Sequence, residues 1–303
     1  MADARDRDLV LAPGTFAYIL DNTKGHVNVI VGPNKTSLSA TDIPVLWDEN
    51  HRTYRECDVL KNAIQSFSSA AEGFYIVLTN PSQSEKDPFP KTGTSSLSTD
   101  LYMGRKINIP GPISFPLWPC QTAKVIEGHH LHSNQYLIVR IYNDEEANSN
   151  IAKAVIKKQI ANTTKGDGGE KNEDSGIDSI KEKEKEIDKP NFIMGQLIIV
   201  SGTEVAFYIP PTGIEVIPDG NGSYVRDAVT LERLEYCILL DEDGNKRYVQ
   251  GPAVVFPSPT EQFVEQDGLR KFRAIELNEI SGLYIKVIAD YEDGGKEYEA
   301  GEE

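Results

Sequence analysis

Cysteine is scarce in this chain, with only Cys57, Cys120 and Cys237 among 303 residues. An odd and widely separated set excludes a disulfide framework and suits a reducing compartment. Positive charge is also short: 31 Lys and Arg face 47 Asp and Glu, for a net charge of −16. Nucleic acid requires clustered cations to replace its counterions, so no direct nucleic-acid binding is expected. No uninterrupted apolar run approaches the ~20 residues of a membrane helix. The opening stretch Met1-Ala-Asp-Ala-Arg-Asp-Arg-Asp8 lacks the apolar region of a signal peptide. The expectation is a cytoplasmic protein without a membrane span. There is no P-loop, dinucleotide fingerprint or nucleophile elbow. An enzyme is therefore not expected, and no catalytic residue, cofactor or metal is assigned.

What the chain does have is a small β unit, clearest over Glu235–Pro257. A β-prone run, Tyr236 to Leu240, enters a turn at Asp241-Glu242-Asp243-Gly244. Asp bonds its own backbone there and Gly accepts the positive φ of a tight hairpin. A second extended run meets Gly251-Pro252, where proline removes a ladder donor and the strand must end or turn. A third apolar run ends at Pro257.

The same order recurs along the chain. Tyr18 to Asp21, a turn, and His26 to Val31 precede Gly32-Pro33. Gly73–Pro81 and Arg105–Ile109 precede Gly111-Pro112, with a Ser/Thr/Lys-rich surface loop at 82–100 between them. Tyr136–Asp144 pairs with Gly195–Val200, separated by a tract at 148–190 whose charged second half lacks the apolar residues to offset chain entropy. That tract is expected to be a dispensable, disordered loop that holds a helix-compatible piece at 151–160 ahead of its charged part. Leu283–Asp290 leads through Gly294 to Gly301 as a fifth, incomplete copy. Taking Tyr18, Tyr75, Tyr136, Tyr236 and Tyr284 as markers, the period is roughly 55 residues once 148–190 is set aside. The expected fold is mainly β, an elongated tandem array of about five small antiparallel modules. Their spans are 1–55, 56–122, 123–220, 221–275 and the start of a fifth at 276–303. Trp47 and Trp118 are assigned to module cores, and Cys57–Ser66 to helical turns or strand.

Tyr18-Ile-Leu-Asp21 with Val31-Gly-Pro33, Tyr75–Pro81, Pro116-Leu-Trp-Pro119 and the closing Tyr291–Glu303 together resemble the N-terminal repeats of the major vault protein family. The resemblance covers nearly the whole chain through order and spacing rather than one specific motif. It implies a structural protein that self-assembles into a large hollow shell of many copies, with protein cargo inside. It also implies that N-termini meet across the particle waist, where Arg5, Asp6, Arg7 and Asp8 would face their counterparts. The alternative is a protein-binding or membrane-associated scaffold module that uses the two inserted loops.

Two other features carry weaker chemistry. Asp241-x-Asp243-Gly and Asp290-x-x-Asp293-Gly lack the twelve-residue helix-flanked context of a calcium loop and read as hairpin turns. His130 and His132 alternate on one strand face, but no Cys or carboxylate ligand stands at a recognisable spacing, so a solvated strand end is preferred.

Overall fold

The computed structural model describes residues 7–48, 51–158, 191–287, 290–293 and 295–302. It is mainly β, built of many small antiparallel sheets, and divides into two compact units, Met1–Asp227 and Ala228–Glu303.

Four modules share one plan, three in the first unit and one in the second. A lead strand turns into a central strand, which forms a hairpin with a second strand. The chain then passes a glycine into a closing strand that pairs back on the lead strand. In module 1 these strands are Asp8–Leu11, Thr15–Asp21, His26–Val31 and Asn34–Ser37. Module 2 uses Ser68–Ala70, Phe74–Thr79, Lys106–Pro110 and Ile113–Phe115. Module 3 uses His129–His130, Gln135–Ile141, Leu197–Ser201 and Val205–Ile209. The second unit uses Val229–Leu231, Glu235–Leu240, Lys246–Gln250 and Ala253–Val255. A return strand then covers the other side of each central strand, as Asp42–Asp48 and Thr122–Glu127 do.

The glycine has a steric reason. A Cβ on Gly32 would overlap the carbonyl oxygen of Ala12, and on Gly111 that of Ala71. Gly202 and Gly251 meet the carbonyls of His132 and Glu232 in the same way. Each glycine N–H donates to the first residue of the central strand, at 2.8 Å to Thr15, 2.8 Å to Phe74, 2.7 Å to Gln135 and 2.8 Å to Glu235. The lead turn and the end of the hairpin thus touch backbone to backbone, with no room for a side chain. Gly32-Pro33, Gly111-Pro112 and Gly251-Pro252 are cis peptides. Gly202 precedes Thr203, so the sequence reading missed it for want of the proline.

The hairpin turns of module 1 and the second unit follow from their aspartates. Asp21 Oδ1 accepts from the Thr23 N–H at 2.9 Å, and Asp241 Oδ1 from those of Asp243 at 3.0 Å and Asn245 at 2.7 Å. Hydrogen bonds from Asn245, side chain first, hold the Asp241 carboxyl below the usual range. Gly244 takes φ +86°.

Several expectations are corrected. By the glycine hydrogen bonds and strand registers, Phe16 is the counterpart of Tyr75, Tyr136 and Tyr236, and Tyr18 falls two residues later, level with Val77. Residues 82–100 are more than a surface loop: Ser95–Leu97 adds an antiparallel strand to His26–Val31 of module 1, and Phe89 stacks on Phe115 at 3.9 Å. The start of the 148–190 tract is also ordered. Asn143 accepts from the Glu146 N–H and caps the helix Asp144–Asn150, whose first turn carries three acids that suit its dipole. Val155–Lys158, β-branched at its start, then pairs with the closing strand Val205–Ile209. Residues 159–190 lie outside the described residues. In the fifth copy, residues 281–287 carry no strand, and the hairpin instead joins Tyr291–Asp293 to Lys296–Tyr298. Leu283, Tyr284 and Ile285 lie exposed there. Asp290 still accepts from the Ala300 N–H at 2.6 Å and Gly301 N–H donates to Val287, whereas Gly294 is outside the described residues. Leu60–Ala63 forms a short 3-10 turn that runs into the strand Ile64–Ser66, so both readings of that stretch hold in part.

The glycine contact predicts that Gly251→Ala destabilises the second unit by ~3 kcal/mol or more, since backbone rather than a flexible side chain must move. Gly220→Ala, where a Cβ meets open space, should change stability by under ~0.5 kcal/mol. Denaturant melts of the two variants check this; equal effects would contradict it.

Candidate functional site

Within the first unit the chemistry concentrates where one module meets the next. The connector after each closing strand makes the same tight turn. The Gln121 N–H donates to the Trp118 carbonyl at 3.1 Å, that of Ile214 to Pro211 at 3.2 Å, and that of Asp42 to Ser39 at 3.2 Å. In two of these turns, and in the second unit, a side chain three residues on accepts from the first N–H. Asp42 Oδ2 accepts from Ser39, Gln121 Oε1 from Trp118 and Glu261 Oε2 from Ser258. The Arg247 guanidinium, 2.7 Å from Glu261, holds that carboxyl down at about 2.

Two of these turns, those of modules 2 and 3, point two successive carbonyls at the preceding module. Tyr18 Oη lies 3.1 Å from the Leu117 carbonyl and 3.2 Å from that of Trp118. Trp118 is buried in one cluster with Phe16, Tyr18, Val29 and Val31, and Trp47 packs against that cluster, as core residues do. At the next junction Asn108 Nδ2 lies 3.2 Å from the Pro210 carbonyl, 3.0 Å from Pro211 and 2.9 Å from Ile214. An amide has two hydrogens, so three carbonyls share them. The Asn108 N–H also donates to Thr212 Oγ1 at 3.0 Å. By the turn geometry Leu117–Trp118 and Pro210–Pro211 are equivalent pairs, read once by a tyrosine and once by an asparagine. Arg105 pairs with Glu146 across the same junction.

Tyr75 Oη and His129 Nε2 are 3.2 Å apart, and the His129 ring lies 5.0 Å from that of Tyr224. Burial pushes His129 down to about 4 and raises the Tyr75 hydroxyl well above its ordinary value. His130, by contrast, is exposed beside Phe207, with ring centroids 4.7 Å apart. Among the described residues no group of three or more His, Cys, Asp or Glu is placed to hold a metal ion. No helix among them is long and apolar enough to cross a membrane.

Of the residues assigned to self-association, Arg5 and Asp6 lie outside the described residues. Asp8 sits 3.8 Å from Lys35 of its own module, and the Arg7 carbonyl accepts from Leu38. The sequence reading missed Asn108, Gln121 and His129 as junction residues. Asn108 acts on carbonyls more than 100 residues away, a distance at which no local pattern signals it. No protein-family model matches the chain, and no curated protein is similar to it.

His129 sets a pH dependence. Its folded pKa of about 4 lies below the ordinary 6.5, so the unfolded chain binds the extra proton between those values. The stabilisation is complete above pH 6.5 and is lost as pH falls towards 4, by ~2–3 kcal/mol in all. His129→Gln should flatten the stability profile in that window. Parallel profiles for the two proteins would contradict the assignment.

Proposed function

We propose that the chain is a structural protein of vault-repeat type, which associates side by side with copies of itself into a large hollow shell in the cytoplasm. The observation that carries this reading is the repetition of one backbone plan, with the same glycine contact, in four modules. A protein made of like modules can meet its copies module by module, so that many weak contacts add up. Sheet edges such as Leu197–Ser201 and Lys246–Gln250 offer main-chain groups for those contacts. The sequence resemblance to vault repeats supports the same reading, and protein cargo would then be the shell's content. The alternative, a scaffold that binds partners through its inserted loops, is disfavoured for 82–100, because that loop is engaged with module 1.

The test is sedimentation of the full chain at micromolar concentration. The proposal expects particles in the megadalton range, seen as closed shells or rings by negative stain. A single species at 33.6 kDa would refute it.

A further inference from the structure

We infer that the inserted segment 82–100 and Trp118, both in the first unit, form a binding pocket for a small neutral polyhydroxyl ligand, a single sugar unit. The inference stands apart from the shell reading, which assigns no small-molecule ligand. The pocket has a volume of about 290 Å³, at the small end of ligand sites, which suits one ring.

Its walls are fixed by contacts within the fold. Ser95–Leu97 is a strand of the module 1 sheet, and the Val31 N–H donates to the Thr94 carbonyl at 2.9 Å. Ser84 Oγ accepts from the Asp87 N–H at 3.2 Å, and Phe89 is stacked on Phe115 at 3.9 Å. Pro88 and Pro90 stiffen the backbone on either side of Phe89. Trp118, from the connector that follows the strand Ile113–Phe115, completes the lining. A pocket with fixed walls loses little binding free energy to ordering them.

Two buried polar atoms of this lining lack a hydrogen-bond partner. Trp118 is only 4% exposed, and its main-chain N–H donates to Gln121 Oε1 at 2.9 Å. Its indole N–H, however, has no acceptor among the described residues. Asp87 Oδ1 is buried too and accepts no hydrogen bond among them. Lys91 Nζ stands 2.6 Å from that oxygen as an ion pair, at an angle outside hydrogen bonding. Native folds leave few such groups unpaired, because each costs stability until something bonds it. One pocket thus presents both an unmet donor and an unmet acceptor.

That combination decides the chemistry of the ligand. A hydroxyl accepts and donates, so the hydroxyls of one molecule can meet the indole N–H and the carboxylate oxygen together. The Ser98 and Thr99 hydroxyls, in the same lining, can likewise give or accept. An oxyanion would satisfy the indole N–H but would face the Asp87 carboxylate, a like charge. A cation would suit Asp87 but would meet Lys91 and an indole that can only donate. Phe89 and Leu97 supply an apolar wall for the C–H face of a sugar ring.

The test is saturation-transfer difference NMR on the full chain, titrated with D-glucose, D-galactose, D-mannose and N-acetyl-D-glucosamine. The method reads binding to a monomer or to a large particle alike, so its outcome is separate from that of the assembly test. Saturable binding of at least one sugar is expected, weakened at least about tenfold by Asp87→Ala and at least about threefold by Trp118→Phe. Thr99→Val, which keeps the shape and loses the hydroxyl, should weaken it about twofold or more. Glu85→Ala, at an exposed acid of the same segment outside the lining, should leave it unchanged. Circular dichroism melts establish that each variant is folded; if Trp118→Phe is not, Asp87→Ala and Thr99→Val decide. No saturable signal with any of the four sugars overturns the proposal, as does sugar binding indifferent to Asp87→Ala in a folded protein. Inorganic phosphate displacing the sugar would overturn it as well, by showing an oxyanion site.

Discussion

The structure depends on one contact, a glycine backbone pressed against a carbonyl oxygen. At Gly32, Gly111, Gly202 and Gly251 the end of a hairpin meets the turn that began it, so closely that one methyl group would separate them. The glycine N–H completes the central strand's hydrogen bonding at its first residue. From there the chain runs back beside the lead strand, which closes the module. A hairpin alone is marginal in water; the lead and closing strands bury its second face. Leu9 and Leu11 under Ala17 and Ile19, or Val229 and Leu231 under Cys237 and Leu239, are the apolar layer that results.

Closing a module also positions its connector. The turn at Trp118–Gln121 or Pro211–Ile214 follows directly on the closing strand and aims main-chain carbonyls at the module before it. Within the first unit, stacking is therefore a consequence of module closure rather than a separate device. The side chains that read these carbonyls differ, Tyr18 in one case and Asn108 in the other, because main-chain acceptors ask only for a donor at the right place. His129 adds a buried, neutral ring at the second junction, where charging it is unfavourable.

Much of this plan was legible in the sequence, because its strongest signals are local. Gly-Pro after an extended run marked three of the four module closures, and Asp with a following Gly marked the hairpin tips of module 1 and the second unit. Gly202 escaped because Thr203 replaces the proline, although the steric demand on the glycine is the same. Phe16 and Tyr18 lie two apart on one strand face and are both aromatic, so the pattern could not decide which one repeats. The pairing of Ser95–Leu97 with module 1 and the reach of Asn108 to Pro210 were invisible. Both join residues far apart in the chain through backbone groups that every residue carries. The helix at Asp144–Asn150 was signalled by Asn143 and the three acids after it, in a stretch where composition drew the eye to the charged tract beyond.

Amide hydrogen exchange on the four closure glycines tests this account most directly. If closure is the last part of a module to open, the N–H groups of Gly32, Gly111, Gly202 and Gly251 exchange as slowly as the central strands they bond, and far more slowly than Gly220 in its open turn. Exchange at the closure glycines as fast as at Gly220, with the central strands still protected, would show that modules hold together without the contact and would contradict it.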